Sequence, residues 1–349
     1  MGSSVVLRCN LDDKGKTQNR ARYYSPDMIT HKLVQNPLEY FTDCYAKDPN
    51  MEMEPENINF VYMRAKNYGD TASAPQYANL YVNDFCLYNN PANWEKNRVQ
   101  TVNGRNYSEL GVIEPGKVAV TNDYFRYEPK THSGRCCFVG TVGSEKDPDY
   151  KGINTWQKYV NWLDTNPGVA TRNMIVSRNY QVRDFEDLVN IGNIGQKAAM
   201  LFVVKGQNLP DKTTFGIKCD AIPKLSQEQV YLSSDEDSHE FMLTVYIPAN
   251  FDNYLTVYGI LSSGHEWPDN AVILVSSSIV QTRASMAQFP ELKVIRPIEF
   301  HHGIMGIASP KDAMEDALMG FYDDDIKLGI PIGSCGHTFI VDKDRRAAG

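Results

Sequence analysis

A short glycine-rich stretch near the C-terminal end, Gly333 to His337, contains residue types that carry out covalent chemistry. Cys335 lies between small residues, and a nearby cation lowers the pKa of a thiol and makes the thiolate more available as a nucleophile. His301 or His302 would act as the base, an aspartate from 323–325 would orient the imidazole, and His337 is a further candidate residue. A cysteine-dependent hydrolase is therefore one hypothesis, although a turn in an apolar tail explains the glycines equally well.

The same residues include possible zinc ligands. His301, His302, His337 and Asp323 offer imidazole and carboxylate groups, which zinc binds in proteins. Adjacent histidines on a strand point to opposite faces, which makes them poor partners in one site. The aspartates at 323–325 are not followed by the glycine and glutamate of a calcium-binding loop. We therefore expect no metal, no cofactor and no enzymatic activity.

Length and charge restrict the class of protein. The chain has 349 residues, which is enough for two domains that each bury a core. Its net charge of −8 argues against nucleic-acid binding, because a basic surface is needed to replace the counterions of the phosphates. The N-terminal residues do not form a signal peptide, and no apolar run is long enough to cross a bilayer. We expect cytoplasmic folding, while the final location, including export by a non-classical route, stays open.

The cysteines indicate the redox environment of folding. Seven are present, none in a CxxC pair, and Cys136 and Cys137 are adjacent. An odd number with this spacing does not fit a disulfide framework or a zinc site. We expect reduced and mostly buried thiols.

Short strands dominate the chain. In residues 56–69, Ile58, Phe60 and Tyr62 share one face of an extended segment, and Asn67 to Gly69 supply a turn. Other segments follow the same pattern: 78–88, 118–127, 135–142, 174–176, 198–204, 213–219, 241–247, 255–261 and 271–280. This pattern predicts a mainly β protein with two tandem immunoglobulin-like β-sandwich domains.

Two stretches have helical spacing. Apolar residues between 153 and 163 recur at helical intervals, and Asn166-Pro-Gly168 ends the pattern. Ser309 and Pro310 are typical of a helix start, and a helix is predicted as far as Phe321. The predicted organisation is an N-terminal arm, two sandwiches, and a C-terminal helix with an extended docking tail: 1–24, 25–190, 195–290 and 291–349.

Residues 25–178 resemble the bacterial cell-adhesion-related immunoglobulin-like domains known as CARDB. The motifs that carry the resemblance are Ser25-Pro-Asp27, Asn57 to Gly69, Leu80-Tyr-Val82, Trp94, Pro115-Gly116, Gly134 to Val142, Pro148-Asp149 and Tyr159 to Trp162. The resemblance implies two packed sheets in which residues 57–69 form a core strand. It covers under half of the chain and implies little about partners.

Two further alternatives come from particular residues. Residues 272–287 alternate Ser or Thr with small apolar residues, a pattern that pore-forming strands share, so a toxin-like secreted or injected effector is the second hypothesis. Four tryptophans offer rings on which a sugar could stack, which makes carbohydrate a minor alternative ligand: Trp94, Trp156, Trp162 and Trp267.

The preferred prediction is a non-enzymatic structural or adaptor protein that binds other proteins, or copies of itself, in a bacterial or phage-type assembly. Two sandwiches supply surfaces, and the apolar tail supplies an extended segment that pairs with a sheet edge. We favour docking of this tail on a neighbouring subunit. The predicted partner-binding residues are Phe321, Ile330, Ile332, Phe339, Ile340 and Val341.

Overall fold

The fold is mainly β, as the alternating pattern predicts, and strands dominate the described residues. The chain folds into two compact units, the first formed by Met1–Asp84 and Asn90–Ser177 and the second by Phe85–Asn89 and Arg178–Gly349. The computed structural model describes residues 2, 4–15, 25–51, 53–54, 56–84, 90–129, 135–155, 158–159, 162, 165–175, 184–232, 238–268, 271–282 and 326–338.

The first unit contains nine strands, an α-helix and a 3-10 helix among its described residues. The strands are β1 (Val5–Val6), β2 (Met28–His31), β3 (Asn59–Asn67), β4 (Gln76–Asp84), β5 (Ser108–Gly111), β6 (Val118–Val120), β7 (Phe125–Tyr127), β8 (Arg135–Gly143) and β9 (Val169–Ile175). Helix α1 spans Pro37–Asp43, and the 3-10 helix spans Pro91–Asn97.

The second unit contains eight described strands. These are β10 (Asp184–Gly192), β11 (Ala198–Gln207), β12 (Thr214–Lys218), β13 (Gln227–Val230), β14 (Ser238–Ile247), β15 (Asp252–Ile260), β16 (Val272–Thr282) and β17 (Ile326–Thr338). They form two antiparallel sheets, in the orders β10-β15-β12-β13 and β14-β11-β16-β17.

Strand β3 is the centre of the first sheet. Lys66 pairs with Val6 of β1 and with Val118 of β6, so these two strands lie on opposite edges of β3. Strands β2 and β7 pair with the other half of β3 in the same way. This strand is the stretch that shows the clearest alternation in the sequence, and it is buried on both faces.

The second sheet of the first unit has the order β5-β4-β8-β9 and packs face to face on the first. Val61 and Met63 of β3 share one apolar core with Leu80 and Phe138 of this second sheet. Gly140 marks the closest approach, because a Cβ atom there would lie 2.6 Å from the Met28 sulfur. A larger residue there would force the Met28, Met63 and Leu7 side chains to shift.

Additional segments cover the outer faces of both sheets. Phe41 of α1 packs on Tyr62 of β3, with ring centroids 4.9 Å apart. On the other sheet, Tyr81 packs beneath Trp94, at 5.7 Å, and Trp94 also contacts the ring of Tyr150 at 5.0 Å. The first unit is therefore a β-sandwich whose outer faces carry a large share of its aromatic side chains.

The second unit is built on the same principle. Phe215 of β12 and Phe241 of β14 bring the two sheets together, with ring centroids 5.9 Å apart. At Gly206 of β11, a Cβ atom would lie 2.6 Å from Leu209 and 3.1 Å from Phe215. The inner faces of the two sheets thus pack closely in this unit as well.

The structure confirms the predicted strands and adds elements that the pattern does not reveal. Strand β10 was not predicted, and it pairs with β15 along its whole length. Helix α1 was also missed, although Asn36-Pro37 is a recognisable helix start. Lys158, Tyr159 and Trp162, in the predicted helix at 153–163, have helical backbone. The predicted helix ending at Phe321 lies outside the described residues.

The cysteines agree with the predicted reduced state. Cys9, Cys44, Cys136, Cys137 and Cys219, all in the described part of the chain, are free thiols. Cys9 donates a hydrogen bond to the Asp13 carboxylate at 3.0 Å. The buried cysteines of both units therefore act as small core residues.

A buried ionic cluster connects the segments at one side of the first unit. It consists of Arg8, Asp27 and Arg64, none more than 2% exposed. The Asp27 carboxylate accepts hydrogen bonds from Arg8 Nη2 at 2.7 Å and from Arg64 Nε at 2.7 Å. Asp27 belongs to the Ser25-Pro-Asp27 turn and Arg64 to β3, so two motifs that are distant in sequence meet at one carboxylate.

Backbone carbonyls satisfy the remaining donors of this ionic cluster. Arg64 Nη1 donates to Phe41 and Cys44, and Arg64 Nη2 donates to Pro26 and Lys47. Two guanidinium groups and one carboxylate leave one excess positive charge, which these carbonyl oxygens stabilise. The cluster thereby fixes the backbone that follows α1 against β3.

Replacing Asp27 tests the role of this cluster. We expect Asp27→Asn to lower the free energy of unfolding by about 3–5 kcal/mol, because both buried guanidinium groups lose their counter-charge. Urea unfolding followed by circular dichroism measures the change. Asp48→Asn is the matched control, since Asp48 pairs with Arg172 at 2.8 Å while 37% of its side chain is exposed. A loss below about 1 kcal/mol is expected for the control, and equal losses in the two variants would contradict the assigned role.

Candidate interaction surfaces

The C-terminal strand β17 forms one edge of the second unit. It pairs with β16 from Val272 opposite Thr338 to Thr282 opposite Ile326. The predicted extended tail is therefore a strand over its described part, and it lies on the sheet of its own chain. This is the first of two candidate interaction surfaces.

The predicted partner-binding residues divide between described and undescribed positions. Ile330 lies opposite Ile279, and Ile332 lies where the register shifts between Ser277 and Ser278. The remaining predicted positions lie outside the described residues: Phe321, Phe339, Ile340 and Val341.

The proposed catalytic residues occupy ordinary strand positions. Cys335 lies opposite Val275 and His337 opposite Ile273, and both β16 residues are fully buried. His301, His302 and the aspartates at 323–325 lie outside the described residues, so the hydrolase and zinc hypotheses stay predictions. Within the part of the chain that is described, no three His, Cys, Asp or Glu side chains converge on a metal position.

A shallow cleft of about 630 Å³ lies beside α1. Its lining consists of amide, hydroxyl, carboxylate and aliphatic side chains: Gln35, Asn36, Pro37, Leu38, Glu39, Thr42, Asp43 and Asn122. Glu39 and Asp43 accept protons, but no thiol or imidazole shares this cleft with them.

The second candidate surface is the outer face of the β10-β15-β12-β13 sheet. We call it the tyrosine face and define it by Leu188, Val230, Tyr254, Tyr258 and Ile260. Four of these side chains are between 43% and 55% exposed, and Tyr258 is half-buried.

The strand register places all five residues of the tyrosine face on one side of the sheet. Along β15, Tyr254, Tyr258 and Ile260 alternate with residues that are buried against the other sheet. Leu188 lies opposite Thr256 of the same β15 face, while Thr214 pairs with both Ile260 and Val230. A large part of this face is apolar and open to solvent.

Tyr258 lies across the middle of the tyrosine face. Its hydroxyl donates to Glu228 Oε2 at 2.8 Å. Gly216 lies between them in the register, and a Cβ atom there would be 2.8 Å from the Tyr258 hydroxyl. Burial, followed by the hydrogen bond and the charge of Glu228, raises the pKa of Tyr258 to about 12.

The tyrosine face is amphipathic. Tyrosine combines a large apolar ring with a polar hydroxyl, and exposed apolar patches on sheets are typical of sites where proteins meet. Glu186 and Glu228 lie beside Tyr258 in the register and are exposed, which makes the surroundings partly acidic. The sequence pattern predicted β15 but did not reveal which of its faces is uncovered.

Two tryptophans considered as sugar-stacking residues are buried. Trp94 is fully buried and Trp267 is 8% exposed, so neither ring presents a face to a ligand. Trp162 packs on Trp94 with ring centroids 5.4 Å apart, and Trp156 lies outside the described residues. Trp94 and Trp162 together form part of the cover over the second sheet of the first unit.

Strand β16 carries most of the stretch on which the pore hypothesis rests. It lies between β11 and β17, and Ile273, Val275 and Ser277 are buried on its inner face. In this structure it therefore serves as an internal sheet strand. Among the described residues, no helix combines the length and apolar character that a membrane span needs.

The chain matches no model of a protein family and no curated protein. One similar solved structure is the secreted serine protease VesC from Vibrio cholerae, with 13% identity and a TM-score of 0.25 over 66% of this chain and 48% of the protease. Another is red sea bream transglutaminase, with 9% identity and a TM-score of 0.21 over 66% of this chain and 28% of that enzyme. A third is the collagen adhesin of S. aureus, with 8% identity and a TM-score of 0.14 over 65% of this chain and 83% of the adhesin.

The chain thus spans less than half of the length of the protease and of the transglutaminase. TM-scores this low carry no argument about function. The resemblance to CARDB domains stays a prediction.

A titration tests the geometry of the tyrosine face. The difference in absorbance between the wild type and Tyr258→Phe reports the ionisation of the Tyr258 phenol alone. We expect the midpoint of this ionisation near pH 12, whereas the ordinary pKa of tyrosine is about 10. Because the folded chain holds this proton more tightly than the unfolded chain, the Tyr258 contribution to stability is present below about pH 10 and is lost as the pH rises towards 12. A midpoint near 10 would contradict the burial of Tyr258 and its hydrogen bond to Glu228.

Proposed function

We propose that this chain is a non-enzymatic structural or adaptor subunit that binds other proteins within a larger bacterial or phage-type assembly. Two surfaces support the proposal, the tyrosine face and the C-terminal strand β17. Both act by burial of apolar area and by backbone pairing, and neither requires a reaction centre.

The position of β17 is the observation that carries the proposal. This strand lies last in the sheet order β14-β11-β16-β17 and joins the second unit through β16. Residues 283–325 separate it from β16 along the chain, whereas neighbouring antiparallel strands are commonly joined by only a few residues. An extended segment that adds to a sheet edge gains a ladder of backbone hydrogen bonds, which is a recurring mode of protein recognition.

The tyrosine face supports the same function in a different way. Leu188, Tyr254 and Ile260 present apolar area, and the carboxylates of Glu186 and Glu228 lie beside it. A partner that covers this face would bring apolar side chains to its centre and basic side chains to the acidic positions. Such charge complementarity contributes more to specificity and to the rate of association than to affinity.

Removal of the tail tests the proposal. We expect deletion of residues 323–349 to abolish assembly, because the sheet loses its terminal strand, while the first unit stays folded. Native mass by size exclusion with light scattering measures assembly, and near-ultraviolet circular dichroism measures folding. Normal assembly by the truncated chain would overturn the proposal.

Substitutions on the tyrosine face test its contribution separately. We expect Tyr254→Ser combined with Ile260→Ser to weaken assembly at least about tenfold, since hot-spot side chains of this type each contribute over 1 kcal/mol. The concentration at half-assembly is the measured quantity. Tyr246→Ser is the control, because Tyr246 is 64% exposed but lies on β14 of the other sheet. Equal effects of the two variants would show that the tyrosine face has no special role.

A further inference from the structure

The pairing between β16 and β17 raises the question of which copy of the chain supplies β17. Strand β16 already pairs with β11 on one edge, so without β17 its other edge, Val272 to Thr282, would be open. Ile273 and Val275 in β16 are fully buried. An open edge next to a packed core is costly and prone to aggregation, so this edge needs an occupant.

The chain connection does not require that occupant to come from the same copy. Residues 283–325 separate the two strands along the chain, and the entropic cost of closing a connection grows with its length, so a strand of the same chain loses part of its advantage. Copies held together in an assembly also reach high local concentrations. The pairs between β16 and β17 are the same whichever copy supplies the strand, which makes exchange of a terminal element a low-cost route to oligomers.

Features of β17 favour exchange over the addition of another strand beyond it. Pro331, opposite Ser278, lacks the backbone N–H that a sheet ladder uses, and proline in sheets is confined to edges and bulges. The register shifts between Ser277 and Ser278, which places a bulge at Ile332. Bulges and prolines are devices that prevent further pairing at a sheet edge, and a bulge also fixes the register of the strand that carries it.

We propose that β17 is exchanged between copies, so that Ile326–Thr338 of one copy pairs with β16 of a second copy in the register seen here. This inference rests on the proposed function and specifies its partner as a second copy of this chain. Strand β17 of one copy would then complete the β14-β11-β16 sheet of the neighbouring copy.

A cross-strand disulfide tests the exchange, because Cys335 lies directly opposite Val275. One tagged chain carries Val275→Cys with Cys335→Ser, and an untagged wild-type chain supplies Cys335. The two chains are unfolded, refolded together at assembly concentration and oxidised. We expect a disulfide between tagged and untagged chains on a non-reducing gel.

A register control accompanies this experiment. A tagged chain with Ile279→Cys and Cys335→Ser should give no such product, since Ile279 lies opposite Ile330, roughly 13 Å along the strand from Val275. If Val275→Cys does not fold, Ser276→Cys on the tagged chain and Ser334→Cys on the untagged chain replace it, because these two residues are also directly opposite.

The outcomes separate the inference from the proposed function. A further chain carries Val275→Cys and keeps Cys335, so it can form the disulfide within one copy. The exchange is wrong if this chain forms only that internal disulfide, and if neither the Val275→Cys mixture nor the Ser276→Cys mixture forms a disulfide between tagged and untagged chains. Loss of assembly after deletion of 323–349 would in that case still support a structural subunit. Normal assembly after the deletion would overturn both.

Discussion

The first unit depends on one buried interaction, the contact of Asp27 with two arginines. Charged groups leave water only at a high cost, so a buried carboxylate with two guanidinium groups persists only when every donor has an acceptor. Arg64 meets this condition through four backbone carbonyls and the carboxylate, and Arg8 uses the same carboxylate. The consequence is geometric: the N-terminal segment, the turn before β2, the centre of β3 and the backbone after α1 are held in one arrangement.

The second unit follows a different principle, in which pairing and packing of strands replace a buried ionic cluster. Its core is apolar, its sheets approach closely at Gly206, and its outer surface carries the tyrosine face. The two sheets of the first unit have aromatic covers, whereas Leu188, Tyr254 and Ile260 lie open to solvent. Among the described residues, both sheets of the first sandwich are covered, whereas this sheet of the second is not.

Residue types alone gave the hydrolase hypothesis, which stays a prediction. Cys335 and His337 belong to a continuous strand and lie opposite buried residues of β16. A nucleophile needs an exposed position beside a base that is held by a third group. The proposed bases His301 and His302 lie outside the described residues. The glycines around Cys335 fit a regular ladder, in which Gly333 and Gly336 pair with Ser277 and Leu274.

Alternation of apolar residues was sufficient to predict β3, β8, β11, β15 and the mainly β class, because burial of one strand face imposes a period of two on the chain itself. Helix α1 and β10 were missed, since a seven-residue helix and a strand with acidic residues at Asp184, Glu186 and Asp187 lack strong periodicity. The contact of Asp27 with Arg64, the cover over Tyr62, the open face around Tyr258 and the pairing of Cys335 with Val275 appear only in the folded chain. Each joins residues far apart in sequence, and a local pattern records that a side chain is apolar or charged without recording which distant segment will cover or pair with it.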